Sequence, residues 1–218
     1  MNTIIVSDLH IGSKYFLSHK FDIFLRSLPE YYDVVLNGDV IENPYKKLIP
    51  SHQRILDRMV QESFRRNVIW VRGNHDNGFT MENPGKICFR PFHTIEKQLL
   101  IAHGDDFDEI MPRSRLFIKA FKFMHNIRVK LGAKPVHVAH YAKKWKLFYK
   151  VLRNNVMMNA IKCARENGYE AVTCGHTHYS EDVIFNGTRY INTGAWTEIP
   201  ISYLLVKNRE MTLKTIDP

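Results

Sequence analysis

The chain has few cysteines and lacks any long hydrophobic run. Its three cysteines, Cys88, Cys163 and Cys174, are odd in number and show no metal-ligand spacing. We therefore expect neither a disulfide framework nor a cysteine-ligated metal, and a reducing compartment is the simplest location. No apolar run reaches the roughly 18 residues that span a membrane. No basic segment of the kind that opens a signal peptide precedes the first apolar run. The expected location is therefore the cytoplasm.

Acidic residues are absent between residues 111 and 165, where 14 of the 31 lysines and arginines lie. The remaining sequence carries 17 basic and 22 acidic residues, so the net charge of +9 is concentrated in one basic block. Such an asymmetry indicates an anionic partner: a phosphate group, a nucleic acid or a membrane surface. A solvated helix face has the same composition, and it remains an alternative interpretation.

The order of apolar patterns predicts a mixed α/β protein. The 218 residues suit one domain, residues 1–218, with an insertion. Helical spacing predicts helices over 19–28 and 49–66, and over 111–165 with a break at Gly132 and Pro135. The predicted strands cover residues 3–7, 33–36, 68–71, 98–102, 170–174, 183–185, 189–191, 202–206 and 211–215. Strands that alternate with helices and then meander indicate two sheet layers with helices outside.

Side chains that bind metals follow five of the predicted strands. They are Asp8 and His10, Asp39, Asn74 and His75, His103 and Asp105, and His176 and His178. Residues two apart on a strand share a face, so Asp-x-His and His-x-His can each reach one ion. Imidazole and carboxylate together suit divalent manganese, iron or zinc. Each motif alone is also typical of a turn, a strand end or a structural histidine. Five together favour a site for two ions that share a carboxylate.

These motifs, in this order, resemble those of the calcineurin-like metallophosphoesterase family. They are Asp8-Leu9-His10, Gly38-Asp39, Gly73-Asn74-His75-Asp76, His103-Gly104-Asp105 and Gly175-His176-Thr177-His178. The resemblance implies an α/β (α+β) fold, a four-layer αββα sandwich, with two divalent metal ions. Manganese is the first expectation, and iron, zinc, magnesium and nickel are alternatives. By motif position the first ion is held by Asp8, His10, Asp39 and His178, and the second by Asp39, Asn74, His103 and His176.

The resemblance also implies a reaction. A hydroxide that bridges two ions about 3.5–4 Å apart is expected to attack phosphorus in line with the leaving oxygen. We assign His75 to stabilising the developing charge or protonating the leaving oxygen. Glu42 stands where the family often has an acid that orients this histidine, although an exposed loop carboxylate is the alternative. The adjacent Asn43 is expected to contact substrate.

Within the family, the C-terminal half resembles the branch of UDP-2,3-diacylglucosamine pyrophosphatase. The resemblance rests on residues 103–108 and 192–198 and on the helical insertion between them. It implies that residues 111–165 form a cap over a phosphorylated small molecule or a lipid-linked nucleotide, with peripheral contact to the anionic inner face of the membrane. The expected substrate contacts in the cap are Arg113, Arg115, Lys119 and Lys122. This branch typically has arginine in place of His75 and aspartate in place of Ala195, so the site is closer to the general phosphoesterase pattern.

Two alternative functions remain open at this point. A nucleotide or nucleic-acid phosphodiesterase would use the basic segment to follow a phosphate backbone. A catalytically silent scaffold would keep the fold but is expected to lose ligands, and none is missing. The aromatic residues of the insertion could also do no more than pack its helices together. The insertion's histidines, His125, His137 and His140, are expected at the surface, with contact to substrate as the alternative.

Overall fold

A computed structural model describes residues 2–113 and 115–216, and it describes their side chains except at residues 112–122 and 138. The helices are α1 Ser18–Ser27, α2 Pro50–Glu62, α3 Ile110–Arg113, α4 Arg115–Lys130, α5 Val138–Ala142 and α6 Lys146–Glu166. The strands are β1 Asn2–Val6, β2 Asp33–Asn37, β3 Val68–Val71, β4 Cys88–Arg90, β5 His93–Ile95, β6 Leu99–Ile101, β7 Ala171–Cys174, β8 Glu181–Phe185, β9 Thr188–Asn192, β10 Ile201–Lys207 and β11 Glu210–Ile216.

The strands form two mixed sheets. The first has the order β11-β10-β1-β2-β3-β4, and the second has the order β5-β6-β7-β9-β8. Strands β1 to β4 are parallel, and the hairpin of β10 and β11 adds antiparallel strands beside β1. In the second sheet β6, β7 and β9 are parallel, with β5 and β8 as antiparallel edges. The carboxyl ends of β1, β2 and β3 therefore meet at one edge of the first sheet.

The strands of the first sheet carry continuous runs of apolar side chains, which pack on both faces of the sheet. Successive side chains of a strand point to opposite faces. In β3, Trp70 therefore packs beneath α1 and α2, whereas Ile69 and Val71 pack between the two sheets. On the far side, α6 covers the second sheet through Ala160 and Ile161. The predicted four-layer αββα sandwich is confirmed.

Three local predictions differ from the structure. Residues 93–95 form strand β5, where no strand was predicted, and this short edge strand pairs with β6. The predicted helical region after Pro135 is two helices, α5 and α6, although no glycine or proline lies between them. Helix α2 ends at Glu62, four residues before its predicted end. The last of these, Arg66, is buried and donates to the carbonyl oxygens of Leu28, Pro29 and Tyr32.

Polar side chains join the two sheets at the edge where the motifs lie. Asn37, the last residue of β2, donates through Nδ2 to Ala102 O at 3.1 Å and to Thr173 O at 3.4 Å. Ser7 Oγ and Thr193 Oγ1 share a hydrogen bond of 2.7 Å. These bonds hold the ends of strands from both sheets beside each other. In the described part of the chain, no helix has the length and apolar character needed to cross a membrane.

Candidate metal centre

The loops that follow the strands have an unusual backbone conformation. Asp8, His10, Asp39, His176 and His178 have φ angles of 53°, 51°, 49°, 63° and 55°. In this left-handed region a residue other than glycine is disfavoured, by roughly 1 kcal/mol or more. Such conformations persist where the surrounding structure imposes them, and they concentrate at functional sites. All five residues are predicted metal ligands.

The first group of predicted ligands is Asp8, His10 and His178, and all three are buried. His178 Nε2 lies 3.1 Å from Asp8 Oδ1 and 3.1 Å from His10 Nε2. His10 Nε2 lies 3.9 Å from the same carboxylate oxygen. Two imidazole nitrogens and one carboxylate oxygen therefore lie close enough together to hold one ion.

The second group lies around Asp39. His103 Nε2 is 3.3 Å from Asp39 Oδ1, and the ligand atoms of Asp8, Asp39 and His103 lie within 4.8 Å of one another. His176 Nδ1 is 3.2 Å from Asn74 Oδ1, and the rings of His176 and His103 are 5.5 Å apart. Asp39 also belongs to a group of ligand atoms with His10. Asp39 therefore lies close to ligand atoms of both groups.

The hydrogen bonds of two histidines test whether this site suits a cation. Asn37 O can only accept, so the His103 Nδ1 that lies 2.9 Å away carries the proton. His103 Nε2 then points its lone pair at the Asp39 carboxylate, and it has no hydrogen-bond partner among the described residues. In the same way, Asp108 Oδ2 accepts from His176 Nε2 at 2.8 Å, which leaves the His176 Nδ1 lone pair facing Asn74 Oδ1. Two lone pairs that face each other repel unless a cation or a proton lies between them. The residues of this site therefore suit a divalent metal ion.

The closeness of His103 and Asp39 also shifts the pKa values of both residues. Burial disfavours the charged form of His103, but the charge and hydrogen bond of Asp39, together with the charges of Asp8 and Asp105, outweigh burial and hold the pKa of His103 well above its usual range. Burial would likewise raise the pKa of Asp39, but the charge and hydrogen bond of His103, together with the charges of His10 and His75, outweigh burial and hold that pKa well below its usual range. Without metal the two residues form an imidazolium–carboxylate pair, so metal must displace the proton between them.

Three glycines allow the loops to approach these ligands. A Cβ atom on Gly175 would lie 2.1 Å from Asp8 Oδ2, and one on Gly73 would lie 2.4 Å from Asp39 Oδ1. Gly38 has a φ of +78°, and a Cβ there would lie 2.4 Å from the ring of His103. Each of these three glycines is thus required by the closeness of a neighbouring ligand.

The Glu42 side chain is placed differently from the prediction. We expected its carboxylate to orient His75, but Oε2 lies 2.8 Å from His10 Nδ1 and 3.9 Å from His75 Nδ1. The backbone explains this, because Glu42 N donates to Ile11 O at 2.9 Å and fixes Glu42 beside the His10 loop. His75 Nδ1 instead contacts the backbone oxygen of Glu42 at 2.9 Å. Glu42 therefore holds His10 with its carboxylate and His75 with its carbonyl.

Glu42 yields a prediction about metal affinity. A carboxylate on the outer nitrogen of a metal-binding histidine fixes the ring and raises its basicity. Glu42→Gln is therefore expected to weaken metal binding by about 10- to 100-fold. Titration of the metal-free protein with Mn²⁺ in a calorimeter checks this. Glu109→Gln, a change at an exposed acid, serves as the control. Unchanged affinity in the Glu42 variant would show that its contact with His10 has no such role.

Asp76 is a buried residue of the central motif whose role the sequence did not reveal. Its carboxylate accepts from Gly73 N at 2.9 Å, from Ile41 N at 3.0 Å and from Trp70 Nε1 at 3.3 Å. Burial raises the pKa of Asp76. The side chain therefore ties the loop after β3 to the loop after β2, and both loops carry predicted ligands.

Removal of this carboxylate is expected to destabilise the fold. Asp76→Ala leaves three buried donors unpaired, and we expect the free energy of unfolding to fall by about 3 kcal/mol. Urea denaturation followed by circular dichroism measures this quantity. Asp57→Ala, at an exposed position of α2, is the control and is expected to cost far less. Equal stability of the Asp76 variant and the wild type would contradict the role.

Two further residues at the site were not predicted. Asp108 accepts from His176 and also caps α3, because its Oδ1 accepts from Ile110 N and Met111 N. The sequence signal that could have identified Asp108 is its place in the stretch His103-Gly104-Asp105-Asp106-Phe107-Asp108. His137 was expected at the surface, but its ring stacks on His178 with centroids 5.4 Å apart and lies 5.2 Å from His10. Burial and the neighbouring His178 lower the pKa of His137 to about 3.

Of the other two histidines of the insertion, His125 differs from the surface expectation, whereas His140 agrees with it because 43% of its side chain is exposed. His125 is buried, and its Nε2 lies 3.1 Å from Val136 O. His140 contacts the carboxylate of Glu198. The sequence does not show either contact, because the partner of each histidine depends on how the segment folds.

The predicted substrate contacts remain predictions. Asn43 Oδ1 accepts from Tyr45 N at 3.0 Å, so this oxygen is engaged in a local turn near Glu42. The four basic residues predicted in the cap have side chains outside the described part of the structure. They are Arg113, Arg115, Lys119 and Lys122.

The fold and the site agree with a comparison of sequences. The family model described as "Calcineurin-like phosphoesterase" matches residues 1–180, and the chain belongs to this family. A search of curated proteins finds no significant match. Divalent metal binding is consistent with the family and with the metal-ligand groups described above.

Solved structures with a similar fold share little sequence with the chain. A single mutant of Vps29 from Entamoeba histolytica is 13% identical with a TM-score of 0.50, covering 100% of this chain and 99% of that chain. Vps29 from Chaetomium thermophilum is 10% identical with a TM-score of 0.50, covering 99% and 97%. YfcE, a phosphoesterase from E. coli, is 16% identical with a TM-score of 0.49, covering 100% of both chains. These similarities concern the fold alone.

Proposed function

We propose that the chain is a phosphohydrolase that depends on two divalent cations. The observation that carries the proposal is the His103 Nε2 lone pair that faces the Asp39 carboxylate, beside the closely spaced ligand atoms of Asp8, His10 and His178. When bound there, a cation pair polarises a phosphoryl oxygen and lowers the pKa of water. The ligand set contains two carboxylates, Asp8 and Asp39, beside neutral imidazoles and an amide. Two carboxylates leave a pair of divalent cations with net positive charge, which favours an anionic substrate.

His75 is proposed to exchange a proton with the substrate. Its backbone N donates to Asp39 Oδ1 at 2.8 Å, so the residue is fixed to the proposed bridging carboxylate. The Nδ1 atom carries the proton, because the carbonyl of Glu42 can only accept. Its ring lies edge-on to that of His10, with centroids 5.0 Å apart, and is about one-third exposed. A partly exposed imidazole beside the ligands suits a group that serves the leaving oxygen.

The proposed substrate is an amphipathic phosphoester or pyrophosphate, of which UDP-2,3-diacylglucosamine is the model. Exposed apolar side chains on α4, directly after it and on α6 support this, namely Phe123, Leu131 and Leu147. They lie in the segment 111–165, which has no acidic residue and is proposed to act as the cap of the single domain. Apolar surface beside lysine and arginine suits acyl chains with phosphate, and contact with an anionic membrane facing the cytoplasm.

A nucleotide or nucleic-acid phosphodiesterase is the second candidate. The exposed ring of Trp145 lies in the same basic segment, next to Lys144 and Lys146. Aromatic rings among basic side chains also suit the stacking of bases along a phosphate backbone.

A substrate panel separates these possibilities. Mn²⁺-loaded protein is tested on an aryl phosphodiester, a UDP-sugar, a UDP-diacylglucosamine and single-stranded nucleic acid, with a chelator as control. We expect chelator-sensitive hydrolysis of the aryl phosphodiester, with the detergent-dispersed lipid nucleotide as the preferred substrate. Preference for polynucleotide with strong salt inhibition would favour the second candidate. Metal binding without hydrolysis of any substrate would instead indicate a catalytically silent scaffold.

A further inference from the structure

The helical segment places one side chain, that of His137, beside the predicted metal ligands. His137 precedes α5, and its ring contacts those of His10 and His178, with Tyr15 edge-on at 5.8 Å between centroids. Ligand-type atoms of His10, Glu42 and His137 lie within 4.8 Å of one another. A residue far along the chain from the strand ends thus reaches the proposed active site.

Its hydrogen bonds make His137 a donor rather than a metal ligand. Ala139 N donates to His137 Nδ1 at 3.4 Å, as the N-cap of α5. Nδ1 therefore holds the lone pair, and Nε2 carries the proton in the neutral ring. The structure contains no hydrogen bond from Nε2 to another described residue. A metal ligand needs a free lone pair, and the one on this ring is already used by the helix.

Two contacts fix α5 to the loop that carries His178. Lys143 Nζ, directly after α5, donates to His178 O at 2.6 Å and to Glu198 Oε1 at 2.5 Å. His140, on the same helix, contacts the other oxygen of Glu198. Glu198 is largely buried, so it holds two cap residues in one place beside the site. The position of His137 at the start of α5 depends on this contact.

We propose that His137 binds the substrate, its Nε2–H donating to a non-bridging oxygen of the phosphoryl group. Glu198 acts as a positioning residue that holds α5 and thereby His137. The inference deepens the proposed function and rests on it. It gives the cap a direct polar contact with the reacting group, in addition to any contact with the rest of the substrate.

The test compares two substitutions of one residue. His137→Ala removes the donor, and His137→Gln keeps an N–H at a similar distance. Each Mn²⁺-loaded variant is measured for the dissociation constant of inorganic phosphate, for kcat and KM with the aryl phosphodiester, and for metal content. Asn154→Ala, an exposed uncharged position of α6 in the same segment, is the matched control.

We expect His137→Ala to raise the phosphate dissociation constant and KM by about 10- to 100-fold, as for loss of a hydrogen bond to a charged group. Metal content is expected to stay at the wild-type level, and His137→Gln is expected to recover most of the affinity. Loss of metal in the alanine variant would show that His137 is a ligand. Unchanged phosphate affinity, or no recovery with glutamine, would likewise overturn the inference.

A double-mutant cycle tests the role of Glu198. Glu198→Gln is expected to raise KM with little change in kcat, and to add nothing further when combined with His137→Ala. Additive effects would show that Glu198 acts independently of His137. The phosphate measurement also separates this inference from the proposed function. If the wild type hydrolyses no substrate, the proposed function fails, while phosphate affinity in the His137 variants still decides whether this residue binds the anion.

Discussion

Asp39→Asn is expected to abolish hydrolysis and to lower the bound metal together. Asp39 lies close to ligand atoms of both groups, and an amide in its place removes one negative charge from the site. Changes to the outer partners of metal ligands cost about 10- to 100-fold in metal affinity or activity. Loss of a bridging ligand is expected to cost more than about 100-fold in kcat/KM. Steady-state kinetics and metal analysis of the purified variant measure both effects.

The matched control for this variant is Asp106→Asn. Asp106 is exposed and lies in the loop after β6, near the site but outside the ligand groups. It is expected to retain wild-type activity and metal. An Asp39 variant that keeps full metal content and hydrolysis would show that Asp39 does not bridge the two groups.

His75→Ala is expected to slow hydrolysis strongly while metal content stays intact. A ring nitrogen of His75 lies within 4.8 Å of ligand atoms of His10 and Asp39, but the motif position assigns no metal to His75, and its Nδ1 is held by the carbonyl of Glu42. Loss of a general acid typically costs about 10²- to 10⁴-fold in rate. We therefore expect kcat to fall within this range, with a smaller change in KM. Kinetics with the aryl phosphodiester and metal analysis on the same preparation measure these quantities.

The leaving group provides a further check on His75. A substrate whose leaving group departs without protonation, such as a nitrophenolate, is expected to lose less rate in this variant than an alkyl phosphodiester. His19→Ala, an exposed histidine of α1, is the control. Metal loss in the His75 variant would show that this residue is a ligand and that the proposed proton exchange is wrong.

The strand ends were predictable because the relevant signals are local. Each apolar run is long enough to be a buried strand, and a ligand-type residue follows within a few positions, as at Asp8 and Asp39. Parallel strands bring their carboxyl ends to one edge, so the convergence of these side chains follows from the order of elements. Fold class and predicted ligands therefore came from the same pattern.

Contacts set by loop packing were not predictable. The carboxylate of Glu42 reaches His10 because a backbone bond to Ile11 places it there. Asp76 looked like part of a catalytic motif, but its three hydrogen bonds tie loops together. In both cases the residue type was informative, whereas its partner depended on how two loops meet.

The helical insertion shows the same limit. Apolar periodicity predicted helices in this segment, but it gave no sign of the break between α5 and α6. The N-terminus of α5 follows the predicted break at Gly132 and Pro135, but nothing in the sequence showed that His137 caps this helix beside His178. From the composition of the segment alone, His137 was expected on a basic surface. Its place at the site depends on the contact between Lys143 and Glu198 across the fold.

The most direct test of the central claim is a crystal structure of the Mn²⁺-loaded protein with anomalous diffraction data. The account predicts two manganese peaks about 3.5–4 Å apart. Both are expected in contact with Asp39, one with Asp8, His10 and His178 and the other with Asn74, His103 and His176. A single peak, or two peaks with Asp39 bound to neither, would contradict it.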